Sequence, residues 1–288
     1  MATDLQAQVS GLDALEVDPN AAQRSRWRSL PAVFWRAFWP KALAIAFVLL
    51  AWQLVFLSEW KPPWSLPSPL MVFDDFRTYL KDAQFWGAIR ITLQRALLGF
   101  AFSVVLGTVI GIAVARFRPL RAAIGSMITG LQTMPSIVWF PFAILLFTLS
   151  DKAIFFVLVL GATPSIANGL ISGIDYVPPA WKRVGSVLGM RGLTLYWHII
   201  LPASLPSFIS GLKQGWAFAW RSLMAGELLV LVPGYLSIGV LMQGAREFND
   251  AERLISWMIV VLFIGILVDV AFNAVDNALR RRWGLTQA

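Results

Sequence analysis

The sequence contains no cysteine, which excludes disulfides and thiolate metal sites. A single histidine, His198, leaves little to build a zinc or haem centre from, so neither a metal nor another cofactor is expected. Charge is scarce as well. Asp, Glu, Lys and Arg make up 14% of the 288 residues, against roughly 25% in a soluble domain. No G-x-x-x-x-G-K-[ST] loop is present, which excludes nucleotide hydrolysis by a phosphate loop of this chain. No group of residues combines a nucleophile, a base and an orienting partner, so enzyme chemistry is not expected. The start of the chain lacks a basic stretch followed at once by an apolar core, so no cleaved signal peptide is expected. What is abundant is apolar: 58% of the residues are hydrophobic, which points to an all-α polytopic membrane protein. The net charge of +8 is then read as cytoplasmic loops rather than as a nucleic-acid surface.

Taken in order, the chain divides into five segments. Residues 1–39 are read as a cytoplasmic tail. Its first 23 residues are polar and aperiodic, and 24–39 place Trp27, Leu30, Phe34 and Phe38 near one face among arginines, as an interfacial amphipathic helix does. An aromatic and basic anchor before the first span accounts for 24–39 equally well. The first span is 40–58, and 59–85 form an outer loop. Residues 86–279 form the core. Within it 86–95 is an amphipathic lead-in, and the second span, uncharged from Ala96 to Ala115, carries the small pair Gly107 and Gly111. Residues 122–150 are uncharged, too long for one straight crossing and too short for two. With Pro135 and Pro141 in the middle, one long broken third span over 119–149 is predicted. The fourth span is 153–174, the fifth 204–232, the outer loop 233–253 and the sixth 254–277. A cytoplasmic tail, 280–288, follows.

Six spans place both termini on one side. The candidate inner segments hold Arg24, Arg26, Arg28, Arg36, Lys41, Arg116, Arg118, Arg121, Lys182, Arg183, Arg191 and Arg280 to Arg282, fourteen of the 24 basic residues. Basic residues in the candidate outer loops are offset by nearby acids. Both termini and residues 176–206 are therefore expected on the cytoplasmic side of the membrane. Splitting the third span in two would strand the basic 176–206 stretch outside.

That stretch, YVPPAWKRVGSVLGMRGLTLYWHIILPASLP, is polar enough for water although long apolar runs flank it. It reads as a short helix, a turn at Gly189 to Gly192, a second short helix and a stop at Pro202. His198 beside Trp197 is read as a packing or interface residue. The order Gly189, Ile199, Leu201, Pro202, joined to LPSP (66–69), RALLGF (95–100), MPSIVWFPFAILLF (134–147) and GYLSIGVLMQGAREF (234–248), resembles the permease subunits of ATP-binding-cassette importers of the nitrate, taurine and aliphatic-sulfonate group. The resemblance implies a type I importer permease with a MetI-like core. It also implies that residues 176–203 couple to a separate ATPase through Arg183, Gly185, Gly189, Ile199, Leu201 and Pro202. One departure stands out: the family's acidic-Ala-Ala triplet falls on Arg183, Val184 and Gly185, so a cation replaces the carboxylate. The implied partners are two ATPase subunits, an external solute-binding protein and a second permease copy in a homodimer. The competing class is a secondary transporter driven by an ion gradient. It would show paired broken helices in repeated halves, and one broken helix is found.

Lys213, Arg221 and Glu227 fall on the fifth span, where charge is expensive. Arg221 lies roughly 28 Å along the helix from Pro202. Two readings stand. In one, Pro135, Pro141, Arg221 and Glu227 line the translocation path and Arg221 attracts an anionic solute, with Glu227 or Asp269 as its resting partner. In the other, Arg221 belongs to a structural ion pair.

Overall fold

A computed structural model describes residues 19–282, with the side chains of 19–34, 36 and 37 left aside. The aperiodic tail over 1–18, the last residues of the C-terminal tail and the side-chain face of 24–34 lie outside the described residues. Among the described residues all regular structure is helical. The chain divides into two compact units, residues 1–69 and residues 70–288. In the first, helix α1 (Pro19–Leu57) runs without a break, so no separate interfacial helix precedes the span. Its Phe38–Leu57 portion is long and apolar enough to cross a bilayer. The Trp52 indole N–H donates to the Pro67 carbonyl at 3.0 Å and folds the following loop back onto the helix.

The second unit opens with α2 (Pro69–Tyr79), inside the expected outer loop. Helix α3 (Ala83–Arg116) absorbs the expected lead-in and span into one element. Its start is fixed by Asp82, whose carboxylate accepts from the Gln84 N–H at 2.9 Å. Then follow α4 (Arg118–Thr133), a 3₁₀ turn (Ser136–Trp139), α5 (Phe140–Phe147), α6 (Asp151–Asp175), α7 (Pro179–Val187), α8 (Leu193–Leu229), α9 (Ile238–Glu247) and α10 (Ala251–Arg282).

Helix α6 is apolar on all sides and buried along most of its length, from Ala153 to Ile174. Such a helix must be surrounded, and it forms the centre of the unit. Small residues decide how closely its neighbours approach. A Cβ on Gly107 would meet Ile166 Cβ at 2.9 Å, and one on Gly111 would meet the Ala167 carbonyl at 3.1 Å. The pair read in the sequence as small-xxx-small is therefore a seam between α3 and α6. On the other side Gly211 lies against Gly169, where a Cβ would meet backbone Cα at 2.8 Å, and Gly173 lies against Ser204.

The order of these contacts fixes topology. Gly99, Gly107 and Gly111 meet Leu158, Ile166 and Leu170 in the same direction, so α3 and α6 are parallel. Gly161, Gly169 and Gly173 meet Ser222, Gly211 and Ser204 in reverse, so α6 and α8 are antiparallel. Two parallel spans require the chain between them to return across the full bundle. Arg121 at the start of α4 bonds Asp175 at the far end of α6 at 2.9 Å, while α5 leads directly into Asp151 at its near end. The α4–α5 pair therefore traverses the bundle, although it bends by 103°. The bend lies at Met134 (φ −77°, ψ 127°) and Pro135 (φ −59°, ψ 125°), two consecutive extended residues. A residue before proline is pushed to that conformation. Pro141 does not kink anything: it sits in the first turn of α5, where its missing donor costs no bond.

Helix α8 differs from the expected stop at Pro202. It runs unbroken over Leu193–Leu229. A π turn over Tyr196–Ile200 precedes the proline, with the Leu201 N–H bonded to the Tyr196 carbonyl. The wider turn gives the ring room against the preceding carbonyls, so the helix continues. At about 1.5 Å per residue it is about 55 Å long, well beyond the apolar thickness of a bilayer. Helix α10 lies antiparallel to α8, with Lys213 on Asp269 at 2.9 Å and Trp220 near Gly265. It is tied to α2 by Ser256, whose hydroxyl reaches Asp75 Oδ2 at 3.1 Å. Burial pushes the Asp75 carboxyl up, and the Ser256 hydrogen bond partly offsets this.

Candidate functional site

Three groups of residues stand out, one at each end of the unit and one between. At the end where α6 stops and α8 starts, α7 and the first turns of α8 form a helix–turn–helix. Gly189 (φ +80°) and Gly192 (φ +55°) make the turn in left-handed conformations that side chains with a Cβ rarely adopt. Gly185 is buried where the two short helices cross. A Cβ there would run into Leu195 and would lie 2.6 Å from Ile199 Cδ1. Ile199 and Leu201 are half-buried against this crossing, while Arg183 and Pro202 are exposed. Arg183 makes no ion pair among the described residues. His198 bonds the Thr194 carbonyl through Nδ1 at 3.0 Å, within its own helix. Beside the pair lies an open cavity of about 850 Å³ lined by Tyr176, Trp181, Val184, His198 and Pro202.

At the opposite end lies a buried charge network. Arg95 Nη1 bonds Glu227 Oε1 at 3.0 Å, and its other terminal nitrogen pairs with Asp151. Glu227 is 0% exposed. Its carboxylate also accepts from the Thr92 hydroxyl at 2.9 Å and from the Gly239 N–H at 3.1 Å. The same Thr92 hydroxyl accepts the Ile238 N–H at 3.1 Å, and the Tyr235 ring covers the Arg95 guanidinium. The first amides of a helix carry partial positive charge and lack partners within it. Those of α9 are aimed at the anion. Buried charges persist only when paired and hydrogen-bonded, and Glu227 satisfies that rule with partners from two other elements, α3 and α9.

This corrects the expected partnership. Glu227 pairs with Arg95, not with Arg221, and no part of it faces a cavity. Asp269 is likewise engaged, by Lys213. From the sequence Arg95 enters only as the end of the lead-in and the start of RALLGF, with no partner assigned, and Thr92 is not singled out. Arg95 is the last residue of the amphipathic lead-in 86–95, which the structure joins to the uncharged span in one helix. The sequence signal for the site is an arginine followed directly by the uncharged run Ala96 to Ala115, together with the turn at Gly234 ahead of Gly239.

Between the ends, α8 presents Ser210, Gln214 and Arg221 along one exposed stripe. Arg221 donates to the Ala217 carbonyl of its own helix at 3.1 Å and lies over the Phe218 ring. It makes no ion pair among the described residues. It borders a cavity of about 400 Å³ shared with Lys213, Asp269, Trp216, Trp220 and Phe272. With Lys213 and Asp269 neutralising one another, that cavity carries a net single positive charge. Pro135 and Pro141 are exposed at the α4–α5 bend. Ser136 there approaches Gly161 of α6.

Residues 103–284 match the family described as "Binding-protein-dependent transport system inner membrane component". The chain is 24% identical to the taurine transport system permease protein TauC of Escherichia coli (strain K12), over 82% of this chain and 86% of the relative. It is 26% identical to the nitrate import permease protein NrtB of Synechocystis sp. (strain ATCC 27184 / PCC 6803 / Kazusa), over 79% and 84%. It is also 26% identical to the putative aliphatic sulfonates transport permease protein SsuC of Bacillus subtilis (strain 168), over 84% and 87%. Its fold is shared with a chain of a bacterial alginate ABC transporter in complex with an alginate pentasaccharide-bound periplasmic protein. There the TM-score is 0.58 at 15% identity, covering 90% of this chain and 100% of that one. A chain of the inward-facing MetNI methionine ABC transporter aligns with a TM-score of 0.57 at 16% identity, over 69% and 99%.

Proposed function

The chain belongs to the family of binding-protein-dependent transport system inner membrane components, a membrane permease component and not an enzyme, and from that premise we propose which solute it passes and where its partners sit. The chain is the permease subunit of a binding-protein-dependent importer. The family implies an ATPase and a solute-binding protein as partners. The match over residues 103–284, which contains the whole of 176–206, carries this reading.

The proposed solute is a small molecule with one singly charged anionic group, of the sulfonate, taurine or nitrate kind. The relatives named for taurine, nitrate and aliphatic sulfonates support this class. Arg221, which has no ion pair among the described residues and stands on an exposed polar stripe of α8, supports it independently, since a charge at membrane depth is kept where it faces a path or a partner. Arg221 attracts the solute, Ser210 and Gln214 continue the lining, and the bend at Pro135, with Pro141 in the helix turn after it, flanks it. A second copy of the chain completes the path as a homodimer, because the stripe of one copy alone would lie open to lipid.

Arg183, Gly185, Gly189, Ile199, Leu201 and Pro202 belong to the surface on which each of two ATPase subunits docks, with the cavity beside Trp181 and Val184 as its apolar floor. Arg116, Arg118, Arg121, Lys182, Arg183, Arg191 and Arg280 to Arg282 collect at the same end of the second unit, which argues for that end in the cytoplasm. The termini then lie in the cytoplasm too, and α2 and α9 face the binding protein. The test is ATP-driven uptake of taurine, nitrate or an alkyl sulfonate into proteoliposomes holding the complete transporter. Arg221→Leu should abolish uptake while the complex still assembles. Undiminished uptake of the anion by that variant would remove Arg221 from the path.

A further inference from the structure

The network around Glu227 lines no path, yet it joins four elements at the end opposite the coupling helices. We infer that Thr92 and Glu227 are positioning residues that link the seating of α9 to the coupling segment at the start of α8. The inference rests on the permease reading.

Three observations carry it. The leading amides of α9 are not satisfied by their own cap, because the Ser237 side chain makes no capping bond. They are satisfied across elements, Ile238 by Thr92 of α3 and Gly239 by Glu227 of α8. The seat is also steric: a Cβ on Gly239 would overlap the Glu227 side chain, so α9 rests directly on α8. Finally, Glu227 lies on the same unbroken helix as the coupling residues Ile199, Leu201 and Pro202, about 40 Å away at about 1.5 Å per residue. A rod of that length, pinned at one end and carrying the coupling helix at the other, moves as a body.

The chemistry makes the link discrete. The Thr92 hydroxyl donates its proton to Glu227 while its oxygen receives the Ile238 N–H, and Glu227 receives the Gly239 N–H, so a shift of α9 breaks the Ile238–Thr92 and Gly239–Glu227 bonds together. In a dry setting a half-satisfied network is costly, so α9 is either seated or released. Phe248, just past the end of α9, is 86% exposed. A binding protein pressing there acts on a lever whose other end is held by Thr92 and Glu227.

The test uses the complete transporter in lipid nanodiscs, with ATP hydrolysis measured alone and with its solute-loaded binding protein. Thr92→Val keeps shape and removes the hydroxyl. It should leave basal hydrolysis unchanged and cut the stimulation by the binding protein about tenfold, within the range of ordinary coupling energies. Thr92→Ser should restore the stimulation. Equal stimulation in Thr92→Val and wild type overturns the link while the permease reading stands. Basal and stimulated rates falling in the same proportion overturn it too, as simple damage. No stimulation in the wild type sinks both readings. Should Thr92→Val not assemble, hydrogen exchange on the unmodified transporter decides: amides 238–239 and 193–200 change together on docking if linked, and a change at 238–239 alone contradicts the link.

Discussion

At Arg95 one guanidinium holds the ends of two carboxylate-bearing helices, through Asp151 and Glu227. Removing it leaves a fully buried carboxylate without its counter-charge. Arg95→Met should therefore destabilise the purified permease by about 3–5 kcal/mol, read as a lowered midpoint of thermal unfolding in detergent. At this scale the sequence misled by proximity. Arg221 and Glu227 lie on one helix and invited a pairing, but six residues apart they project from different faces. Pairing across elements depends on which helices adjoin. A single sequence does not state that for Arg95 and Glu227, which are 132 positions apart. The value of Gly185 was legible only in part. The motif named it, and the structure supplies the cause: a crossing with room for no side chain. Gly185→Leu should force the two short helices apart, at about 1–3 kcal/mol by overpacking. The permease should stay in the membrane, with loss of the co-purified ATPase on a tag pull-down.

At the scale of elements, the long apolar runs gave the spans, because a stretch of about 20 uncharged residues has few alternatives. The break in the third segment was also readable, from its length and from Pro135, while Pro141 breaks nothing. Where the helices end was not. Pro202 marks a stop by local rules, but a π turn before it lets α8 continue, and tertiary packing of Ile200 and Ser204 rewards the continuation. The glycine seams show the opposite case, where local pattern and packing agree. At Gly211 the α6 and α8 backbones are in contact with Gly169. Gly211→Leu should separate the two helices and abolish accumulation of folded permease, as measured by size-exclusion chromatography of the solubilised protein. The same change at Gly244, around which nothing lies within 4 Å, should leave the elution profile intact.

For the whole molecule, the parallel run of α3 and α6 and the antiparallel run of α8 leave one end of the second unit basic and the other built around carboxylates and the α9 seat. The second of the two short helices and the stripe proposed to face the anion then belong to one long helix, which on the proposed reading lets a motor on one side act on a path in the middle. Sequence reached this arrangement through the distribution of arginines and lysines. It could not reach the Glu227 network, which exists only once four separated segments meet. The absence of cysteine makes the central claim directly testable. Val187 is 86% exposed at the end of α7, and Val187→Cys creates a single thiol there. A membrane-impermeant maleimide should leave that thiol unlabelled in intact cells and label it in inverted vesicles, with protection when the ATPase is bound. Labelling in intact cells would put the coupling segment outside and contradict the account.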